Sequence, residues 1–198
     1  MNIPNKLTLS RAIITPVFLA VMLIDKIPFN YTAALILFIV ASVTDYLDGK
    51  IARSKNIVTN FGKILDPVAD KMLTTAAFLG FTVIMPTENY TVQVAVMTFI
   101  ILFREFIVAS VRLIAVSGES KKVIPANMWG KLKTVSQMIC IIVGLSAYSV
   151  KEILPACSQA SDIAVISFLV LGWISVFFTA VSGIIYVYVS RDLIDNTK

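Results

Sequence analysis

Long apolar stretches alternate with short polar segments along the whole chain. Several of these stretches approach or exceed the roughly 20 residues that a helix needs to cross a bilayer. The segments between them carry proline, glycine and charged residues, which are typical of helix ends and loops. The pattern therefore predicts six membrane-spanning helices, at residues 7–23, 31–47, 61–85, 92–116, 132–148 and 163–189.

The overall composition supports an integral membrane protein. Hydrophobic residues make up 58% of the 198 residues, whereas soluble domains are about 45–50% apolar. No internal repeat is evident, and no linker is long enough to separate two domains. We expect an all-α fold: a single membrane domain over residues 1–198, built as a six-transmembrane-helix bundle.

Positive charges lie mainly on one side of this predicted topology. Of the 17 Lys and Arg residues, 15 lie in the N-terminus, the second and fourth loops, the C-terminus and the adjoining helix ends. Only Lys26 and Lys151 lie on the opposite side of the predicted membrane. Because positive residues favour the cytoplasmic side, we expect a multi-pass protein of the cell membrane with both termini in the cytoplasm. Many of these lysines need be no more than topological anchors, and no nucleic-acid partner is expected.

The residue types present exclude several kinds of chemistry. The chain has no histidine, which removes the usual near-neutral base and the commonest zinc ligand. Its two cysteines, Cys140 and Cys157, stand apart and indicate neither a disulfide framework nor a thiolate metal site. Any metal bound here is expected to be a hard cation with oxygen ligands, namely Mg²⁺, Mn²⁺ or Ca²⁺.

A first group of polar residues follows the second apolar stretch. Asp45 and Asp48 are three residues apart and share one face of a helix. Gly49 and Ala52 continue that face with very small side chains, which leaves room for a bulky group, and Arg53 follows.

A second group opens the third stretch, where Gly62, Asp66 and Asp70 are each four residues apart. This spacing favours a helix that begins near residue 59 and is kinked at Pro67 over one that begins at Asp66. The four aspartates would then face one another at the cytoplasmic ends of two neighbouring helices, where they repel strongly. Two divalent cations would cancel that charge. The alternative is that the aspartates only cap helices and solubilise a loop.

The complete motif, D-x2-D-G-x2-A-R-x8-G-x3-D-x3-D from Asp45 to Asp70, resembles the signature of the CDP-alcohol phosphatidyltransferases. That resemblance implies transfer of a phosphatidyl group from a CDP-activated lipid to an alcohol, a homodimer, and Mg²⁺ or Mn²⁺, two ions in all. It implies roles for the motif residues as well. The metal ligands would be Asp45, Asp48, Asp66 and Asp70, with Asp70 also accepting the alcohol proton. The CDP-lipid would be bound by Gly49, Ala52, Arg53 and Gly62.

Three further segments resemble the phosphatidylglycerophosphate synthase branch of that family: IPNKLTLSR, FREFIVASVRL and WGKLKTVSQM. This branch implies glycerol 3-phosphate as the acceptor alcohol and CDP-diacylglycerol as the donor. Arg112, Lys131 and Lys133 are the candidates for a pocket that binds the acceptor phosphate, since the N-terminus of a helix favours anions.

Other polar residues in these segments allow two interpretations. Asn5 and Thr8 lie either near the bound nucleotide or in an N-cap and first helical turn. Arg104 and Glu105 lie well inside the fourth apolar stretch, and they form either part of the site or a structural ion pair with a neighbouring helix.

Several other functions stay open. Within the family, the acceptor could instead be an alcohol whose product is cardiolipin, phosphatidylinositol phosphate or phosphatidylserine. A membrane prenyltransferase also binds diphosphate through aspartates and Mg²⁺, but its two motifs lie far apart, whereas 17 residues separate Asp48 from Asp66. A transporter would place its carboxylates near the middle of the membrane.

Overall fold

A computed structural model describes residues 3–55, 60–117, 128–154 and 158–195, with the side chains of residues 8–44, 71–111, 128–154, 163 and 165–191. The described residues form six helices and no strand, which confirms the all-α fold and the number of helices. In chain order the helices are α1 Ile3–Leu23, α2 Asn30–Lys55, α3 Asn60–Ile84, α4 Glu88–Ser117, α5 Met128–Ile153 and α6 Ser158–Asp195.

Most of the helices extend beyond the apolar stretches that predicted them. The second stretch was expected to end at residue 47, but α2 continues to Lys55. Apolarity marks only the part of a helix that suits hydrocarbon, whereas backbone hydrogen bonds can continue the helix into polar surroundings. The early start of α3 is confirmed, because this helix begins at Asn60 and includes Pro67.

The packing order places helices together that are distant in the chain. α5 lies along α6, and α1 contacts both α2 and α3. α4 packs on α3 and α6, while α2 packs on α5. At the centre, the rings of Phe81 and Phe168 have centroids 4.3 Å apart. Gly144 lets α5 approach both rings, since an added Cβ there would lie 2.6 Å from Phe81 Cζ and 2.7 Å from Phe168 Cδ2.

The polar contacts at one end of the bundle define its direction. Glu152, at the end of α5, accepts hydrogen bonds from the backbone N–H groups of Tyr31 and Thr32, each at 3.1 Å. These groups at the start of α2 have no partner within their own helix. The Tyr148 hydroxyl donates to the Ile84 carbonyl oxygen at 3.2 Å. The start of α2 and the ends of α3 and α5 therefore lie together, and the motif segments lie at the opposite end.

The outer surface of the bundle is apolar, as expected for a membrane protein. Among the residues whose side chains are described, three segments are long and apolar enough to cross a bilayer: Glu88–Val111, Met128–Ile153 and Val165–Arg191. That all six helices span the membrane stays a prediction. Shorter apolar stretches occur at Thr8–Leu23, Asn30–Thr44 and Lys71–Ile84. Large side chains such as Val83, Phe99 and Ile184 are 66–71% exposed. Soluble proteins rarely expose apolar surface this extensive, so these faces fit the hydrocarbon core of a bilayer.

Candidate functional site

The aspartate motif occupies the last turns of α2 and the first turns of α3. Asp45 and Asp48 are one helical turn apart on α2, and Asp66 and Asp70 are one turn apart on α3. The other motif positions are also helical: Gly49, Ala52, Arg53 and Gly62. Because the structure describes no side chains for residues 45–70, their predicted roles in metal and lipid binding stay predictions.

The buried face of α1 changes from apolar to polar toward the motif end of the bundle. Phe18 and Met22 are fully buried in the apolar core. The preceding positions on the same face are Thr8, Arg11 and Thr15, and each is at most 3% exposed. An arginine is rarely buried to this degree without partners, so the motif end of α1 faces a polar interior.

The buried faces of α5 and α6 also change from apolar to polar toward the motif end of the bundle. On α5, buried Lys133 and Gln137 precede the apolar residues of the core. On α6, the buried residues toward the C-terminal end include Thr179, Ser182 and Ser190. The Gln137 side-chain amide donates to the Thr179 hydroxyl at 3.5 Å, which joins the two polar faces.

Four charged side chains meet in this polar interior. The Glu105 carboxylate accepts a hydrogen bond from Lys133 Nζ and another from Arg104 Nη1, the latter at 3.1 Å. Lys71 Nζ lies 3.6 Å from the second carboxylate oxygen of Glu105. We call these four residues the Glu105 cluster. It links α3, α4 and α5, and Lys71 directly follows Asp70 of the motif.

The last helix joins this cluster through Arg104. Arg104 Nη2 donates to the Ser182 hydroxyl at 2.7 Å. Gly183 permits that approach, because an added Cβ there would lie 3.0 Å from Arg104 Cγ. The Glu105 cluster is therefore fixed by contacts to α3, α5 and α6.

The structure describes the side chains of two of the three residues predicted to bind the acceptor phosphate, and these two differ in exposure. Lys131 is exposed, whereas Lys133 is 2% exposed and pairs with Glu105. Lys133 is therefore not a surface anchor, and the ion pair considered for Glu105 has its partner on α5. The side chain of Arg112 lies outside the described set. Whether the three bind phosphate stays a prediction.

Of the two N-terminal candidates, Asn5 and Thr8, only Thr8 has a described side chain. α1 begins at Ile3, so Thr8 lies beyond the first turn and the capping interpretation is wrong for this residue. Thr8 is buried at the motif end of the bundle. The side chain of Asn5 is not described, so its predicted place near the nucleotide stays untested.

No three carboxylate, thiol or imidazole groups come together as a metal site among the described side chains. The candidate donor set stays the one that the sequence predicts in the motif. Its four aspartates supply oxygen donors on two successive helices, and this set fits a hard divalent cation.

The structure adds residues that the sequence patterns did not single out. Lys71 and Ser182 contact the charged groups described above. The Tyr186 hydroxyl is buried and has no hydrogen-bond partner within the described part of the chain. The regular spacing of polar residues on α6, from Ser175 through Thr179 to Ser190, is the sequence signal that could have revealed its polar face.

Comparison of the sequence with known proteins matches the chain to a family. The family model described as CDP-alcohol phosphatidyltransferase matches residues 1–185. A Bacillus subtilis (strain 168) relative named CDP-diacylglycerol–glycerol-3-phosphate 3-phosphatidyltransferase is 39% identical over 92% of this chain and 91% of its own length. Relatives of the same name are 34% identical in Rickettsia bellii (93% of each chain) and 37% identical in Escherichia coli K12 (71% of this chain, 74% of the relative).

Proposed function

The chain belongs to the CDP-alcohol phosphatidyltransferase family, and we propose that it transfers the phosphatidyl group of CDP-diacylglycerol to glycerol 3-phosphate. The products are phosphatidylglycerophosphate and CMP, so the enzyme acts in phospholipid biosynthesis. The observation that carries this proposal is the shared name of relatives that align over more than nine-tenths of both chains. The aspartate motif supports it, because its residues suit diphosphate chemistry.

The family generally depends on a divalent metal, and we infer that Mg²⁺ or Mn²⁺ binds here as two ions. Asp45, Asp48, Asp66 and Asp70 would hold them, since oxygen donors suit these cations and the chain has no histidine. The bound ions would neutralise charge on the diphosphate of the donor.

The remaining motif residues would bind the CDP-lipid. Arg53 offers forked donors that neutralise phosphate charge. Gly49, Ala52 and Gly62 have very small side chains, so the nucleotide can lie close to α2 and α3. Asn5 and Thr8 would add polar contacts from α1, whose buried face is polar at this end.

Asp70 would act as the base for the acceptor alcohol. Its carboxylate accepts the hydroxyl proton while the alcohol oxygen attacks the phosphorus that carries the diacylglycerol. A new phosphorus–oxygen bond forms, and the bond from that phosphorus to the bridging oxygen breaks. CMP leaves with the electron pair. Such transfers depend mainly on positioning and charge neutralisation.

The acceptor phosphate would bind at the start of α5. Arg112, Lys131 and Lys133 are the candidates, and Lys133 lies in the Glu105 cluster beside the motif helix. A cationic pocket next to the diphosphate site favours an alcohol that itself bears a phosphate. Free glycerol would lack this interaction.

We also propose the location and orientation of the protein in the cell membrane. All six helices would span the cell membrane, with the termini and the active site on the cytoplasmic side, where the chain carries most of its positive charge. Water-soluble glycerol 3-phosphate would reach the site from the cytoplasm, and CDP-diacylglycerol from the bilayer. The homodimer rests on the family alone and stays a prediction.

Metal dependence tests the proposed chemistry. Purified protein in detergent is freed of metal with EDTA, and CMP release from CDP-diacylglycerol is followed with glycerol 3-phosphate present. We expect no release without metal and full recovery with Mg²⁺ or Mn²⁺. Full activity in a verified metal-free preparation would contradict the proposal.

A further inference from the structure

Among the described side chains, Glu105 lies between α3, which carries Asp70, and α5, which carries Lys133. It is on α4, and its two carboxylate oxygens contact residues of different helices. One oxygen accepts from Lys133 on α5 and from Arg104 on its own helix, and the other faces Lys71 on α3. Its side chain is only 13% exposed.

The contacts between α3 and α5 differ at the two ends of the bundle. Toward the end of the bundle that holds Glu152, the two helices touch directly, through Phe81 against Gly144 and through the hydrogen bond from Tyr148 to Ile84. At the motif end, the described connection runs from Lys71 through the Glu105 carboxylate to Lys133. The contacts toward the Glu152 end can therefore hold the fold together if the bridge at the motif end is broken.

We propose that Glu105 is a positioning residue, which holds Lys133 on α5 at a fixed place relative to Asp70 on α3. This inference rests on the proposed function, in which Asp70 takes the proton of the acceptor and Lys133 holds its phosphate. The base and the phosphate contact must both reach one small molecule. A displacement of about 1 Å between them is costly, because catalysis requires a near-attack geometry.

The proposed role requires a carboxylate at position 105. Both oxygens of Glu105 face cations, so an amide in its place would turn an N–H₂ donor toward one of them. Glu105→Gln keeps the size of the side chain and removes the bridge. Glu152→Gln is the matched control, because Glu152 also joins two helices through both oxygens but lies at the opposite end of the bundle.

The experiment compares steady-state kinetics and thermal unfolding of the purified full-length variants. For Glu105→Gln we expect kcat/KM for glycerol 3-phosphate to fall roughly ten- to a hundredfold, as for a lost charge-assisted hydrogen bond. The KM for CDP-diacylglycerol should stay at the wild-type value. Glu152→Gln should lower the Tm but leave kcat and both KM values of the folded enzyme unchanged.

Lys71→Met keeps the inference testable if Glu105→Gln does not fold, since the Lys71 side chain is 40% exposed and substitutions at exposed positions usually change stability little. It breaks the α3 side of the bridge and should reduce kcat/KM for glycerol 3-phosphate in the same way. In the Glu105→Gln background, Lys71→Met should cause little further loss, because residues that act as one unit are not additive.

Two results would overturn the inference while leaving the proposed function intact. One is wild-type kinetics for glycerol 3-phosphate in a folded Glu105→Gln or Lys71→Met variant. The other is a double variant in which the two losses multiply, which would mean that the residues act separately. A wild-type protein that releases no CMP with glycerol 3-phosphate would instead refute the proposed function, and the inference with it.

Discussion

Arg104 and Glu105 are adjacent in a segment that is long and apolar enough to cross a bilayer. An isolated charge at the centre of such a helix costs roughly 2.5–3.5 kcal/mol. In this protein the two side chains contact each other, and both reach residues of neighbouring helices. Pairing of this kind allows ionised groups to stay within the bundle, and removal of one partner leaves the other uncompensated.

The proposed base can be tested by Asp70→Asn. The amide cannot take the proton of the alcohol, so turnover should fall about 10²–10⁴-fold at saturating metal. Binding of CDP-diacylglycerol should persist, because the other aspartates and Arg53 would still hold the diphosphate. Steady-state kinetics together with equilibrium lipid binding measures both effects.

A second variant serves as the control for that measurement. Asp66→Asn should weaken metal binding as well as turnover, since Asp66 is proposed only as a ligand. Near-normal turnover of Asp70→Asn at saturating metal would remove this residue from the role of base.

The chemistry of single residues can be predicted from the sequence better than the identity of the residues that they contact. The spacing of Asp45, Asp48, Asp66 and Asp70 is readable because helical periodicity fixes which residues share a face. Periodicity does not say which helix lies opposite that face. The pairing of Glu105 with Lys133 and Lys71 depends on how α3, α4 and α5 pack, so only the structure reveals it.

At the level of helices, glycines set how closely the elements approach. Gly80 lies against Met22 of α1, Gly144 against two rings, and Gly172 against Met97 of α4. An added Cβ at these positions would come within 2.6–2.7 Å of a neighbouring side chain. Close packing through small residues is common between membrane helices, where the hydrophobic effect does not drive association.

Gly144→Ala should destabilise the bundle because its Cβ would collide with Phe81 and Phe168. Overpacking of this kind typically costs ~1–3 kcal/mol. Gly130→Ala on the same helix is the control, since among the described side chains its Cβ would meet only the Ser182 hydroxyl, at 3.7 Å. Thermal unfolding in detergent should show a lower Tm for Gly144→Ala and a nearly unchanged Tm for Gly130→Ala. Equal Tm values would contradict the described packing of α3, α5 and α6.

Across the whole molecule, the interior has two different ends. Phenylalanines and methionines fill most of the core away from the motif, where Asn30 and Ser149 are also buried, whereas the charged residues Arg11 and Lys133 are buried toward the motif. The order of six helices follows from the apolar pattern. The contacts of α2 with α5 and of α4 with α6 do not, because hydropathy carries no information on which distant helices pack together. The single domain over residues 1–198 stays a prediction.

The orientation in the membrane can be tested with the native cysteines. In the sequence, Cys157 follows α5 and precedes α6, in a segment proposed to face outward, whereas Cys140 is buried. A membrane-impermeant maleimide should therefore label the protein in intact cells, and Cys157→Ser should abolish the labelling. Labelling that appears only after the membrane is opened would place this loop in the cytoplasm and reverse the proposed topology.

The most direct test of the proposed function is the identity of the acceptor. Purified protein is incubated with CDP-diacylglycerol, Mg²⁺ and one acceptor at a time: glycerol 3-phosphate, glycerol, myo-inositol phosphate, serine or phosphatidylglycerol. CMP release and the mass of the lipid product are measured together. We expect glycerol 3-phosphate to give phosphatidylglycerophosphate and one CMP per lipid formed, with glycerol a poor substrate. Efficient transfer to another acceptor, with none to glycerol 3-phosphate, would contradict the proposed function.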